Sequence, residues 1–492
     1  IGINNLTFKF KRYDDYLMYQ VMLYSLSTPI INNCKFDSSA SCLGLLNGCI
    51  VNNTMFCNSE IAIQIMDSWD ADYKINNSIF TFHDNQYILY GIYNDFGGGS
   101  FTIKDNLFII SPSKTFSSPL KIVTNLKVEI NNNLFWGFKS GINLASFNTI
   151  STDTNYVINN IFSNFAGFSN IGGYCIIAGN QPKEYVIANN IFAKSKNGIY
   201  IDGYSSKSDY NLFYNIQEAL YTNMQKGEHD FIADPMFVND TAAVLGGTYN
   251  YKLQKYSPAI DTGDPSISDV DGTRSDIGMF GGPGGISYEY QDLAPKVVTG
   301  LQGEYEQSSN IVKLKWAKCT AADFKSYKIY KDINSNFTID STKLVAETNN
   351  NTFNDSLLKG TQKVYYKVTA TDMAGNQSYP SAEVNVTITD VNDAEIKLNY
   401  NYELYQNYPN PFNPITTISY SLKEGGEVRI KLYDITGKLL QTIPEGEKDK
   451  GYNETQIDLS NYASGIYLYR MEVTGKGKIP VFNDLKKMVL LK

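Results

Sequence analysis

A short pattern recurs nine times in the first half of the chain, and it leaves few folds open. Each copy ends in a phenylalanine: Phe8, Phe36, Phe56, Phe80, Phe108, Phe135, Phe162, Phe192 and Phe213. Five positions earlier stands Ile3, Ile31, Val51, Ile75, Ile103, Ile130, Val157 or Ile187, with Ser208 in the last copy. Three positions earlier stands Asn5, Asn33, Asn53, Asn77, Asn132, Asn159 or Asn189, with Asp105 and Tyr210 as exceptions. The steps run from 20 residues (Phe36 to Phe56) to 30 (Phe162 to Phe192). A unit that short cannot bury its own apolar face and must stack on its neighbours, as in a solenoid.

The residue types say which solenoid. Ile75-Asn76-Asn77-Ser78-Ile79-Phe80 and Val157-Ile158-Asn159-Asn160-Ile161-Phe162 mix β-branched and aromatic residues over six positions. That suits strands, and no copy continues into a three-turn helical stripe. Asparagine tolerates the left-handed bend between two strands. Stacked coil on coil, its amide can also bond up and down a ladder. The pattern resembles a right-handed parallel β-helix of the pectate-lyase-like kind, over roughly the first 280 residues. A disordered asparagine-rich tract is disfavoured, because aliphatic and aromatic residues are abundant and in register.

The fold expected is all-β: a right-handed parallel β-helix over residues 1–233, a closing segment and linker over 234–285, and two β-sandwiches. With 492 residues, two to four domains fit. A net charge of −8 argues against nucleic acid or an anionic membrane surface as partner. No run of 18 apolar residues exists, so no membrane-spanning helix is expected. The chain begins with Ile1 and shows no signal peptide, which reads as a mature or trimmed form. Cys34, Cys42, Cys49 and Cys57 fall in two adjacent coils; a disulfide can form there, and free buried thiols fit equally. The first coil starts at once, at Ile3, so an upstream segment or another chain is expected to cover it, the latter giving a self-assembling filament. At about 4.8 Å per coil, nine coils would make a rod of roughly 40–50 Å.

From Asp234 the repeat stops and Gly, Pro and Asp turns crowd in, as in Ser257-Pro258-Ala259-Ile260-Asp261-Thr262-Gly263 and Asp271-Gly272-Thr273-Arg274-Ser275-Asp276. This resembles the closing segment of secreted β-helix proteins. Asp261, Asp264, Asp269, Asp271 and Asp276 offer hard oxygen ligands for Ca²⁺. The competing and favoured reading is turn-forming carboxylates that pair with Arg274 and cap amides. Gly281 to Gly285 reads as linker.

Residues 293–390 hold short alternating strands, among them Val312-Lys313-Leu314-Lys315-Trp316 and Tyr366-Lys367-Val368-Thr369-Ala370. They resemble a fibronectin type III β-sandwich, with Trp316 as core. In residues 400–492, Tyr405-Gln406-Asn407-Tyr408-Pro409-Asn410-Pro411-Phe412-Asn413-Pro414 precedes alternating strands, then Ala463-Ser464-Gly465-Ile466-Tyr467 and a Lys486-Lys487-Met488-Val489-Leu490 end. These resemble the C-terminal sorting domain of the type IX secretion system. The resemblance implies export to the outside of a Gram-negative bacterium, extracellular or surface-attached, with the secretion machinery as partner.

Catalytic chemistry is thinly supported. In the solenoid region the arginines are Arg12 and Arg274, and no Gly-His-Gly with clustered aspartates occurs. His83 and His229 read as isolated surface residues. Asp202 and Asp209 lie on neighbouring turns of one coil and are the paired carboxylates available for glycoside hydrolysis. Trp69, Tyr73, Tyr87 and Tyr90 can stack on sugars if exposed, against a reading as coil-to-coil packing. Asp-Thr-Ala at Asp240 and Asp-Ser-Leu at Asp355 look like O-glycosylation acceptors, making Thr241 and Ser356 the modified residues. The expected function is a structural or adhesive surface protein without cofactor other than Ca²⁺. A polysaccharide lyase or glycoside hydrolase and a non-catalytic glycan binder are the alternatives.

Overall fold

The computed structural model describes residues 2–9, 21–23, 28–37, 42–46, 48–66, 71–82, 89–110, 117–146, 153–167, 173–179, 184–202, 206–240, 250–356, 363–388, 401–475 and 479–491. These form strands and turns with no α-helix among them. They divide into two compact units, residues 1–237 with 251–291, and residues 238–250 with 292–492.

The first unit is a parallel β-helix. Each full coil contributes one strand to each of three parallel sheets. In the fourth coil these are Asp72–Asn76, Ile79–Phe82 and Leu89–Gly97, after which Ser100–Lys104 re-enters the first sheet one coil on. Nine coils register in the first sheet, from Gly2–Asn4 to Lys207–Asp209. The aliphatic series pairs rung by rung, as in Val51 with Ile75, Ile75 with Ile103 and Ile103 with Ile130.

The nine phenylalanines form one column in the second sheet. Consecutive rings lie 4.3 to 5.1 Å apart with interplanar angles of 7° to 20°. Ring pairs prefer offset or edge-on geometry; here backbone pairing at about 4.8 Å per coil dictates the parallel stack. From Phe36 to Phe213 every ring is buried.

The bend between first and second sheets is left-handed in all nine coils, with φ from +47° at Asn77 to +59° at Asp105. Asparagine adopts this conformation more readily than other side chains with a Cβ. The bend leaves two consecutive residues pointing opposite ways, and this splits the asparagine roles. The left-handed residue points outward. The residue after it points inward and builds a buried ladder: Asn106, Asn133, Asn160, Asn190 and Asn211. Each Nδ2 donates to the next Oδ1 at 2.9 to 3.0 Å. Each Oδ1 also accepts the backbone N–H of the preceding coil, as in Asn133 N to Asn160 Oδ1 at 3.0 Å. Such a chain of donors needs an acceptor at its end. Asp230 supplies it: Oδ1 accepts from Asn211 N and Nδ2, and Oδ2 from Ser208, Tyr221 and Gly227.

All six cysteines are free thiols, so the disulfide that the spacing allowed is not formed. Cys34 occupies the ladder position of its coil, with Sγ 3.3 Å from Asn32 O. Burial pushes the Cys42 and Cys49 thiols up to about 12, so they are unreactive.

Residues 251–291 correct the linker expectation. They run as a strap along the outward asparagines of three coils. Asn132 Nδ2 donates to Met279 O and Gly281 O, Asn159 Nδ2 to Asp276 O and Gly278 O, and Asn189 Oδ1 accepts Asp264 N. Gly281 has Asp276 O and the Asn159 amide where a Cβ would go, so it is packed in place rather than linking freely. Among the described residues Arg274 pairs with no carboxylate: Nε donates to Gly263 O at 2.6 Å, Nη2 donates to Thr262 O, and the guanidinium lies 5.5 Å from the Tyr210 ring centre.

The second unit holds two antiparallel β-sandwiches, each of a three- and a four-stranded sheet. In the first, Ile311–Lys315 lies centrally in one sheet and Lys363–Asp372 in the other. Trp316 is buried edge-on against Tyr327, as core. The second sandwich buries Tyr420, Tyr469 and Met488 around its own centre.

Candidate functional site

The outer face of the third sheet carries the most suggestive surface. One side chain per coil lines up there in register: Gln64, Tyr93, Lys121, Asn143, Ile177, Tyr200 and Thr222. All are partly exposed, because neighbours along each strand alternate into the core. Two aromatic platforms stand on this row. Tyr90 and Tyr93 lean together at 4.9 Å and 55°, and Tyr174 and Tyr200 at 5.4 Å and 57°. Tyr200 lies four coils beyond Tyr93, or about 19 Å at the spacing of paired strands.

Hydrogen bonds orient the polar atoms of both platforms. Tyr93 donates its hydroxyl to Asp95 Oδ2 at 3.0 Å, and Lys121 Nζ reaches the same oxygen at 2.8 Å while lying 5.1 Å from the Tyr93 ring centre. Burial, then the Asp95 carboxylate, pushes the Tyr93 phenol up to about 12, so it stays a neutral donor. Burial raises the Asp95 carboxyl, but the Lys121 and Tyr93 donors outweigh it and leave it below the usual range. Tyr174 and Thr222 share a hydroxyl contact of 3.0 Å. Rings flanked by amides, hydroxyls and a neutralised ion pair suit the apolar faces and hydroxyl edges of sugars.

Of the aromatics singled out from sequence, Tyr90 belongs to this face. Tyr73 does not: it is fully buried and stacks on Phe101 at 5.1 Å, so it is a core residue. Trp69 and Tyr87 lie outside the described residues.

Asp202 and Asp209 are not set on one face. Asp202 ends the third-sheet strand Asn197–Asp202 and is exposed, whereas Asp209 ends the first-sheet strand Lys207–Asp209. Asp209 instead holds His229, whose Nδ1 lies 3.0 Å from Oδ2, while the imidazole stacks on Tyr210 at 4.4 Å. His229 is therefore not isolated as expected. The 20 residues between them hid the pair. The Asp209 bond raises the His229 pKa. His83 lies outside the described residues.

The five aspartates offered for Ca²⁺ sit in the strap, four of them as acceptors for turns. Asp264 takes Ser266 N, Asp271 takes Thr273 N, and Asp269 takes Asp276 N and Gly282 N. Asp276 accepts Asp261 N at 2.9 Å and the Tyr290 hydroxyl at 2.7 Å; Asp261 is exposed. Burial pushes the Asp276 carboxyl up to about 6, with Asp269 and Asp261 adding to it. A raised carboxyl stabilises the fold below its unfolded value of about 3.9 and loses that contribution as pH climbs through about 6. Strap stability is thus expected to fall by up to about 3 kcal/mol between pH 4 and 7. Asp276→Asn should flatten that part of the pH profile in thermal melts; an unchanged slope would contradict this.

Among the described residues, one group of three carboxylates converges within 4.8 Å: Asp292, Asp323 and Asp372, in the second unit and outside the five named from sequence. Asn376 Nδ2 bridges Asp292 and Asp372 at 3.1 and 2.9 Å. Ser356 is exposed, but Asp355 before it is buried and held by Lys331 and Tyr366. Thr241 lies outside the described residues.

Comparison with known proteins adds the export signal. Residues 406–480 match the secretion system C-terminal sorting domain. No curated protein matches the chain. Similar solved structures include an Fn3-like protein from Clostridium thermocellum, at 25% identity over 20% of this chain and 99% of that one, TM-score 0.17. The central fibronectin-III array of RIM-binding protein is 11% identical over 40% and 69%, TM-score 0.23. The chicken CNTN1 FN1-FN3 domains are 10% identical over 42% and 71%, TM-score 0.17. The sorting domain marks a secreted or cell-surface protein of a Bacteroidetes-type bacterium and implies an interaction with the type IX machinery.

Proposed function

We propose that this protein is a non-catalytic adhesive column that meets polysaccharide outside the cell. The observation that carries the reading is the row of outward side chains on the third sheet, with tyrosine platforms at Tyr90–Tyr93 and Tyr174–Tyr200. Sugar rings bind by stacking on such platforms, and a chain of them would lie along the column axis. The Lys121–Asp95 pair leaves no uncompensated cation in the row, which favours neutral over uronate-rich chains. The export signal puts the column where such polymers are.

Binding to a panel of soluble polysaccharides, measured by calorimetry, tests this. Tyr93→Ala and Tyr200→Ala should each weaken a bound neutral glycan about tenfold, or about 1.4 kcal/mol. Unchanged affinity in both variants would sink the assignment of this face. New reducing ends or unsaturated uronates would favour the hydrolase or lyase reading instead.

A further inference from the structure

The strap covers only part of a line that the column continues. Just past the left-handed bend, the second sheet carries one outward apolar side chain per coil, paired rung by rung: Met55 with Ile79, Ile79 with Leu107, Leu107 with Leu134, Leu134 with Ile161, and Ile161 with Ile191. Leu134, Ile161 and Ile191 are buried. They belong to the coils whose bend asparagines, Asn132, Asn159 and Asn189, bond the strap and are buried with them. Met55, Ile79 and Leu107 lie on the three preceding coils and stay partly exposed, with Asn53 and Asn77 exposed beside them and Asp105 half-buried. One rung further, Lys35 takes the place of the apolar residue and the floor ends. The bend itself does not demand asparagine, because Asp105 and Tyr210 adopt the same left-handed conformation at φ of +59° and +56°. The strap shows what the covered half of the line holds, which is main chain brought close by glycine. A Cβ on Gly278 would lie 2.8 Å from Ile191 Cδ1, and one on Gly284 would lie 2.7 Å from Asn132 Oδ1.

We propose that the open groove over the third to fifth coils docks a Gly-rich backbone segment of another polypeptide, laid end to end with the protein's own strap. Continuity with the strap interface carries the choice of occupant. The apolar floor and the amide rim run on from the covered coils at the same spacing, one rung per coil. An asparagine amide offers a donor and an acceptor, as a peptide unit does, so each rung can bond main chain in either sense. Under the strap both senses occur: Asn132 and Asn159 donate to carbonyls, and Asn189 accepts an N–H. Asp105 is an acceptor only, so the docked segment must present an N–H at that rung. Lys104 Nζ, 3.7 Å from Asp105 Oδ2, balances the carboxylate charge. The floor is aliphatic and thioether, without the aromatic faces that sugar rings stack on, which favours peptide over glycan here. The groove lies at the bend between the first and second sheets, whereas the tyrosine platforms stand on the third, so the two sites do not overlap.

A synthetic peptide with the sequence of Ser275 to Gly285 is the probe, because that stretch already fits the covered half of the line. Fluorescence anisotropy of the labelled peptide with the full chain should show saturable binding. The same peptide with its glycines replaced by alanine should bind about tenfold more weakly, since the added methyls hold the main chain off the groove. Ile79→Asp, which puts a charge in the floor, should weaken binding about tenfold. Asn77→Gly, which keeps the bend and removes the amide, should weaken it about threefold. Thermal melts of both variants check that the column is intact, and Asn77→Gly carries the test if Ile79→Asp unfolds it. Equal binding of the glycine and alanine peptides would overturn the proposal, as would unchanged affinity in both variants. Binding lost in Asn159→Gly but kept in Ile79→Asp would mean that the probe displaces the strap, which overturns it too. Sedimentation showing a dimer that Ile79→Asp dissolves would assign the groove to a second copy of the chain instead.

Discussion

Asn160→Ala is expected to destabilise the centre of the column by on the order of 4 kcal/mol. The side chain is fully buried and makes five hydrogen bonds. Nδ2 donates to Ile130 O, Ile158 O and Asn190 Oδ1; Oδ1 accepts Asn133 N and Asn133 Nδ2. Removing it takes from the core the side-chain acceptor of Asn133 N–H and the side-chain donor to Ile130 O and Ile158 O, although Ile158 O still accepts Asn132 N–H; each buried group left unmet costs about 1–3 kcal/mol. The loss should be regional, since each coil leans only on its neighbours. Hydrogen exchange should show coils on either side of Asn160 opening first, with the sandwiches untouched. Asn76→Ala provides the contrast: its ladder with Asn52 is partly solvated, so the cost should be about 0.5 kcal/mol. Similar losses at the two positions would mean the buried ladder is not what holds the rungs together.

Phe135→Ala should cost about 3–5 kcal/mol, because the cavity lies between rings that backbone pairing prevents from collapsing. Phe108 lies 5.0 Å to one side and Phe162 4.9 Å to the other. Closing the gap would break the pairing of Leu134 with Leu107 and Ile161. Phe135→Leu refills most of the space and should cost clearly less. Denaturant midpoints of the column for the two variants test this; a Leu variant as damaged as the Ala one would point to ring stacking rather than volume as the dominant contribution.

Much of the architecture was legible in the chain because the relevant interactions repeat. A phenylalanine at every coil and an asparagine three residues before it signal a stack and a bend without any knowledge of partners. Tyr210 at the last bend shows the limit. Nothing near it in sequence announces that His229 and Arg274 would lie against its ring. In pairs such as Asn159-Asn160 the letters are identical but the roles differ, one amide reaching the strap and the other the buried ladder. Tyr73 and Tyr90 were equally good sugar platforms on paper; one is core and the other faces out.

The sequence alone established a stacked, parallel-stranded column with left-handed bends, two sandwiches after it and an address for export. Those features follow from periodic residue types acting on near neighbours. Only the tertiary structure decided which face presents tyrosines and that the Gly-rich stretch is a strap. Each of these joins residues through the order in which coils and sheets pile up, and chain spacing carries no record of that order.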